Sequence, residues 1–112
     1  MTRSYQQVLE GKWPSGIDKT IGLLTLEPDQ LSERWSIVFR KSSDELGPFR
    51  EAGLRLSSGR PILLLRYERS PHLGTEVRAD VADNSESARA EFLSALSLPD
   101  SVFSWIPPDE GQ

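Results

Sequence analysis

His72 is the single histidine of the chain, and imidazole is the side chain best suited to acid–base chemistry near neutral pH. It lies in the segment Ser70–Gly74, whose proline and glycine are typical of a loop. A general base needs a nucleophile to activate, and a serine beside a proline and a histidine is not a catalytic signature. A metal site would need further ligands, and the chain offers only carboxylates because it contains no cysteine. We therefore expect no catalytic residue and no metal site here.

Charged side chains that could bind an anion or exchange protons are concentrated on one predicted β-hairpin. It joins Ile62–Arg69 to Thr75–Val81, with residues 71–75 as its loop. The first strand begins apolar and ends charged, which indicates burial at its start and exposure at its end. The preceding strand is joined to it by a tight turn at Ser57–Arg60, where Gly59 can supply a positive φ. Both connections are short, so these three strands should pair antiparallel.

Opposite charges predict the register of this hairpin. If Arg66 faces Asp80, the same register sets Glu68 against Arg78, and each pair contributes about 0.2–1 kcal/mol. A slip by two residues would set like charges opposite each other. Carboxylates held in such ion pairs are poorly placed for acid–base catalysis, so we interpret the hairpin as a binding surface. The candidate partner-binding residues are Arg66, Tyr67, Glu68, His72, Arg78 and Asp80.

These residues would be positioned by an α+β domain with a mainly antiparallel sheet of five to six strands. One well-defined helix is expected in the C-terminal half and one short helix at the N-terminus, over Ser4–Gly11. A polar loop is expected over Lys41–Phe49, and Pro28–Ser32 could form one helical turn. Besides the hairpin, the predicted strands are Thr20–Leu26, Arg34–Arg40, Arg50–Ser57 and Val102–Ile106.

The C-terminal helix is predicted from apolar residues at helical spacing: Ala88, Phe92 and Leu96 lie four residues apart, and Pro99 follows the last of them. Three residues could cap its N-terminus: Asp83, Asn84 and Ser85. Two of the three tryptophans, Trp35 and Trp105, have the spacing of core positions in strands. The third, Trp13, follows a lysine in a predicted loop, where it could cap the core or anchor a partner.

Composition limits the classes of function. With 17 acidic and 13 basic residues the net charge is −4, so nucleic acid is not expected as a partner. The longest apolar run, Ile62–Leu65, is far shorter than the ~20 residues of a membrane helix. The first residues lack the apolar stretch of a signal peptide, and with no cysteine the chain fits a cytoplasmic protein. We expect one domain over residues 1–112, with residues 107–112 as a frayed tail.

The glycine-containing turns match no phosphate-binding fingerprint, so no cofactor is predicted. We therefore expect a non-catalytic module that binds another protein, without excluding catalysis. Toxin-neutralising immunity proteins and regulatory subunits are acidic α+β domains of similar size, which is an analogy of size and charge alone. The alternative is a binding protein or enzyme for a small anionic ligand, held by Arg55, Arg66 and Arg78. Homodimerisation through an edge strand such as Val102–Ile106 is compatible with both.

Overall fold

The computed structural model describes residues 5–8 and 16–108 of the chain. Within these residues the α+β class is confirmed, and the sheet has seven strands rather than five to six. The helices are α1 (Pro28–Trp35) and α2 (Ser85–Leu96), and a 3-10 turn spans Asp100–Val102. The strands, in chain order, are β1 (Tyr5–Val8), β2 (Lys19–Leu24), β3 (Arg40–Asp44), β4 (Gly47–Leu56), β5 (Pro61–Tyr67), β6 (Thr75–Ala79) and β7 (Phe103–Trp105).

All the described strand pairs are antiparallel, and the order across the sheet is β1-β4-β5-β6-β2-β7. The ten-residue β4 is long enough for two neighbours on the same edge, so β1 pairs with its C-terminal half and β3 with its N-terminal half. At the opposite side of the sheet, β7 is the end strand and pairs with β2 alone among the described strands.

Both helices contribute to one hydrophobic core on a single face of the sheet. Leu31 of α1 and Phe92 of α2 are fully buried against the inward side chains of the central strands. Because alternate residues of a strand point to the same face, the apolar residues at every second position of β4, β5 and β6 join this core. The fully buried members from these strands include Leu54, Leu56, Ile62, Leu64 and Val77.

Helix α2 confirms the prediction from helical spacing. Asn84, one of the three candidate caps, accepts a 2.8 Å hydrogen bond from the backbone N–H of Ser87. The helix ends at Leu96, and Ser97 then adopts a left-handed conformation with φ 55°. The predicted apolar stripe forms its buried side: Ala88, Phe92, Leu93 and Leu96.

The turn between β4 and β5 is fixed to α2 by one arginine. The turn has the predicted geometry, with Gly59 at φ +92°. Arg60 lies 2.7 Å from the Asp83 carboxylate through Nε and 3.1 Å from Glu91 through a terminal nitrogen. The same terminal nitrogen donates a 2.9 Å hydrogen bond to the Ser87 carbonyl. These three bonds tie the hairpin to the helix and to the segment just before it.

Arg60→Ala is expected to lower the free energy of unfolding by about 1–3 kcal/mol, because two partly buried carboxylates lose their counter-ion. Arg60→Lys should restore only part of this loss, since an ammonium group lacks the planar fork that reaches all three acceptors. Arg55→Ala, at an exposed position of β4, is the control and should change stability by no more than about 0.5 kcal/mol. Urea unfolding measures all three, and equal losses for Arg60→Ala and Arg55→Ala would contradict the role of the cluster.

The predicted N-terminal helix is wrong over the residues that can be compared. Tyr5–Val8 is a strand paired with Gly53–Leu56, and the rest of the predicted helix lies outside the described residues. Two side-chain contacts hold this strand beside the segment after α1. The Tyr5 hydroxyl donates to the Trp35 carbonyl at 2.8 Å, and the Gln7 amide bonds the backbone of Val38. Pairing along β4 therefore overrides a weak local helical preference.

The predicted strand Arg34–Arg40 is also wrong, whereas the helical turn considered at Pro28–Ser32 is confirmed and extends to Trp35. Glu27 and Gln30 form a reciprocal capping box, and Pro28 takes the first helical position, where its missing N–H costs nothing. Of the alternating apolar residues that predicted this strand, Trp35 ends α1, whereas Ile37 and Phe39 lie in the segment that follows the helix. The predicted polar loop instead contains β3, an edge strand without an apolar face.

The predicted register of the β5–β6 hairpin is wrong by five residues. Leu64 pairs with Val77 and Leu65 with Glu76, so Arg66 does not face Asp80 and the connection spans residues 68–74. This register buries Val77 on the helix-covered face beside Leu64. Complete burial of one such side chain contributes about 1.5–3 kcal/mol, more than an exposed cross-strand ion pair.

Candidate functional site

The predicted binding patch is divided between the two faces of the sheet. Leu63 and Arg78 stand opposite each other, and Arg66 lies three residues beyond Leu63 on the same strand. Successive side chains alternate between faces, so Arg66 points to the helix-covered face and Arg78 to the other face. The two arginines therefore cannot converge on one ligand as the anion-binding alternative requires.

Each arginine also has its own acidic partner. Arg66 lies 3.6 Å from a carboxylate oxygen of Glu27 and donates a hydrogen bond to the His72 carbonyl. Arg78 forms a 2.5 Å ion pair with Glu76 along its own strand. The remaining predicted acids are elsewhere. Glu68 is exposed in the hairpin loop, and Asp80 follows β6, where its carboxylate accepts the Ala82 N–H.

Tyr67 lies on the face away from the helices, near the β3 edge. Its hydroxyl donates a 2.6 Å hydrogen bond to Asp44, and its ring packs against Phe49 with centroids 5.2 Å apart. The hydrogen bond to Asp44 is the largest cause of a raised pKa for the Tyr67 phenol, above the ordinary 10.0, and burial and the Asp44 charge add to it. The tyrosine thus connects β5 to β3 as a neutral donor.

This raised pKa gives an expected pH dependence. A group whose folded-state pKa is raised stabilises the fold fully below its unfolded pKa of about 10, and the contribution is lost as pH rises through the folded value. The Tyr67–Asp44 contribution should therefore disappear in the alkaline range above about pH 10. Tyrosine 13Cζ NMR titration measures the pKa, with Tyr67→Phe to assign the signal. Asp44→Asn should lower the pKa of Tyr67, and an unchanged pKa would contradict this account.

The structure also has a groove, which shares only one residue with the predicted binding patch. It lies on the helix-free face between the β5–β6 loop and the end strand β7, with a volume of about 850 Å³. Leu23 of β2 is the cross-strand partner of Trp105 in β7, so these two residues share the groove side of the sheet. The lining residues are Leu23, Thr25, Pro71, His72, Leu73, Ser104 and Trp105. Of the six predicted site residues, His72 alone is in this list.

Large apolar side chains stand exposed around the groove. Leu73 is 81% exposed and Trp105 46% exposed, and Ile106, the next residue, is 48% exposed. The prediction of Trp105 as a core residue is wrong, whereas Trp35 is partly buried against the core. Trp13 lies outside the described residues. The missed signal was the pair Leu73 and Trp105, two large apolar residues that each lie within two residues of a proline.

The loop that carries Leu73 is held firmly by four contacts. Arg66 binds the His72 carbonyl, and Glu27 accepts a hydrogen bond from the Gly74 N–H. Gly74 adopts φ +96° and lies so close to the Leu24 carbonyl that a Cβ atom there would overlap it. The buried Thr75 hydroxyl donates to the Leu26 carbonyl at 2.7 Å. The exposed leucine is thus presented by an ordered loop.

The groove itself is mostly apolar, and no aspartate, glutamate, lysine or arginine lines it. Among the described residues, neither the Thr25 hydroxyl nor the His72 ring has a hydrogen-bond partner, whereas the Ser104 hydroxyl donates to the Leu23 carbonyl at 3.2 Å. In the part of the chain that the structure describes, no three His, Cys, Asp or Glu residues are grouped as metal ligands. Such a lining can bury apolar surface and offer a few hydrogen bonds.

Comparisons with protein-family models, curated proteins and solved structures gave no match to this chain. Within the described residues, 5–8 and 16–108, no helix is long and apolar enough to cross a membrane.

Proposed function

We propose that this protein is a non-catalytic interaction module that binds another protein through the groove between the β5–β6 loop and β7. The observation that supports the proposal is the pair of exposed apolar walls, Leu73 and Trp105, of which Leu73 stands on an anchored loop. Anchoring of the loop backbone lowers the conformational entropy that is lost when Leu73 is buried on binding, so more of the buried area contributes to affinity. Tryptophan is also enriched among residues that dominate binding energy.

A protein partner fits these walls better than a small molecule does. Pockets for small ligands bury most of the ligand surface inside the protein. Here Leu73 is 81% exposed, so a small ligand in the groove would leave most of this wall in contact with water. A protein surface can cover the groove, its two exposed apolar sides and the adjacent Ile106 together. It therefore removes more apolar area from water than a small ligand would.

The anionic-ligand alternative is not favoured by any contact of its proposed arginines. Arg66 and Arg78 point to opposite faces and are each paired with a glutamate. Arg55 is exposed on β4, and no arginine or lysine lines the groove. If the protein is an interaction module, His72 remains a candidate contact residue. Leu73 and Trp105 then take the place of the charged residues of the predicted patch as the main contacts.

The test compares groove variants with a matched control in affinity capture from cells that naturally contain the protein. Leu73→Asp and Trp105→Ala each alter one wall, and Leu46→Asp alters a leucine that is 67% exposed in the β3–β4 turn. Proteins captured by wild type and Leu46→Asp, and lost with both groove variants, are the expected result. Circular dichroism should show all variants folded.

Two outcomes would reject the proposal. Capture of the same proteins by wild type and by both groove variants would show that binding uses another surface. Retention of no protein by wild-type bait, together with a cellular small molecule that raises its melting temperature only when Leu73 is intact, would make the groove a ligand site instead.

A further inference from the structure

We infer that the part of the partner that enters the groove is an uncharged, apolar segment of polypeptide; this inference rests on the proposed function and specifies the partner's chemistry. The groove is bounded by Leu23, Pro71, Leu73 and Trp105, and its three polar residues include no aspartate, glutamate, lysine or arginine. In a chain with 27% Asp, Glu, Lys and Arg, seven lining positions without any of these residues make a mostly apolar site.

Electrostatics exclude a charged side chain from the groove. Glu76, the cross-strand partner of Leu23 at the groove, forms an ion pair with Arg78, and Arg66 pairs with Glu27 beside the loop. In both pairs each charge already neutralises the other. A partner's lysine or aspartate placed between Leu73 and Trp105 would lose hydration without gaining a counter-ion, and this transfer is unfavourable. Apolar side chains have no such desolvation cost, so the groove favours an uncharged segment of the partner.

Two unpaired polar groups indicate that the insert is a polypeptide rather than a lipid chain or another pure hydrocarbon. The Thr25 hydroxyl and the His72 imidazole line the groove without partners among the described residues. A peptide backbone supplies both N–H and C=O groups, which can satisfy a hydroxyl and an imidazole when water is displaced. A hydrocarbon would leave these two groups unsatisfied, at a cost of about 1–3 kcal/mol each.

A second copy of this chain is a poorer occupant. Sheet-to-sheet pairing beside the groove would have to use β7, which has only three residues and is followed by Pro107 and Pro108. A short strand that runs into prolines is a common protection against edge pairing. Each copy also has a net charge of −4, so two copies repel each other at long range.

The test is selection of random short peptides displayed on phage against the immobilised full chain, with counter-selection on Leu73→Asp. The expected result is a set of peptides with two or more apolar side chains and no charge between them. Their affinity for Leu73→Asp or Trp105→Ala should fall about tenfold or more, and their affinity for Leu46→Asp should not change. A titration of one such peptide should also perturb the NMR signals of Thr25 and His72.

Each other outcome overturns the inference in a distinguishable way. Selected peptides rich in acidic or basic residues, or no groove-dependent peptide at all, would reject the uncharged segment. The proposed function would still stand if cellular partners were lost with Leu73→Asp. A concentration-dependent dimer in analytical ultracentrifugation, abolished by Leu73→Asp and unaffected by Leu46→Asp, would make a second copy the occupant.

Discussion

Gly74→Ala is expected to lower the free energy of unfolding by about 3–5 kcal/mol. Gly74 has φ +96°, which side-chain-bearing residues rarely adopt. The added Cβ would also overlap the carbonyl oxygen of Leu24, a backbone atom of the last residue of β2 that cannot move as a flexible side chain could. The loop must therefore move away from the strand, and Glu27 then loses its hydrogen bond from the Gly74 N–H.

Gly59→Ala is the matched control for this substitution. Gly59 has a nearly equal φ of +92°, and an added Cβ would meet nothing within 4 Å. Its cost is the conformational strain alone, about 1–2 kcal/mol. Urea unfolding of the two variants separates strain from close approach, and equal losses would show that the loop does not press against β2.

The effect of Gly74→Ala should extend to binding, because the displaced loop carries Leu73. A fold that survives the substitution is expected to lose the partner, whereas Gly59→Ala should retain it. Retained binding by Gly74→Ala would mean that the anchoring of the loop does not position the groove.

Phe92→Ala is expected to cost about 3–5 kcal/mol of unfolding free energy. Phe92 is completely buried in α2 and its ring lies 6.4 Å from that of Phe103, centroid to centroid. Truncation leaves a cavity at the contact between the helix and the first residue of β7. The surrounding sheet can relax only partly, so the lost burial and the cavity both destabilise the fold.

Ser94→Ala, on the exposed side of the same helix, is the control and should change stability by no more than about 0.5 kcal/mol. Thermal and urea unfolding of both variants give the comparison. A Phe92→Ala variant as stable as Ser94→Ala would contradict the burial of this helix face and its support of β7.

Regular hydrophobic patterns account for the parts of the fold that the sequence predicts correctly. Helix α2 follows from Ala88, Phe92 and Leu96, and a local cap at Asn84 begins it. The β4–β5 hairpin follows from an apolar alternation closed by a glycine turn. In both cases, neighbouring residues supply most of the information, so no knowledge of distant contacts is needed.

The wrong predictions concern segments whose conformation depends on contacts that form only in the assembled sheet. Two exposed charge pairs contribute about 0.2–1 kcal/mol each, so they cannot set a register against the burial of Val77. Likewise, Tyr5–Val8 becomes a strand because β4 extends past β3 and offers a free edge. The length of β4 cannot be known from the N-terminal sequence.

The candidate site was missed because the exposure of a residue depends on which other elements pack against it, and the local sequence does not show this. Trp105 has the spacing of a core residue, yet it falls on the end strand, on the face that the helices leave uncovered. Leu73 lies in a segment that has the composition of an ordinary loop, and its anchoring depends on Glu27, which is distant in sequence. Only His72 was predicted as a site residue and also lines the groove.

The most direct measurement is site-specific photo-crosslinking in cells that naturally contain the protein. Leu73 is replaced by a photoreactive phenylalanine analogue in one variant, and Leu46, an exposed leucine in the β3–β4 turn, in the other. The groove account expects one prominent protein adduct from position 73 that is absent from position 46. Adducts of equal yield from both positions, or no protein adduct from position 73, would contradict it.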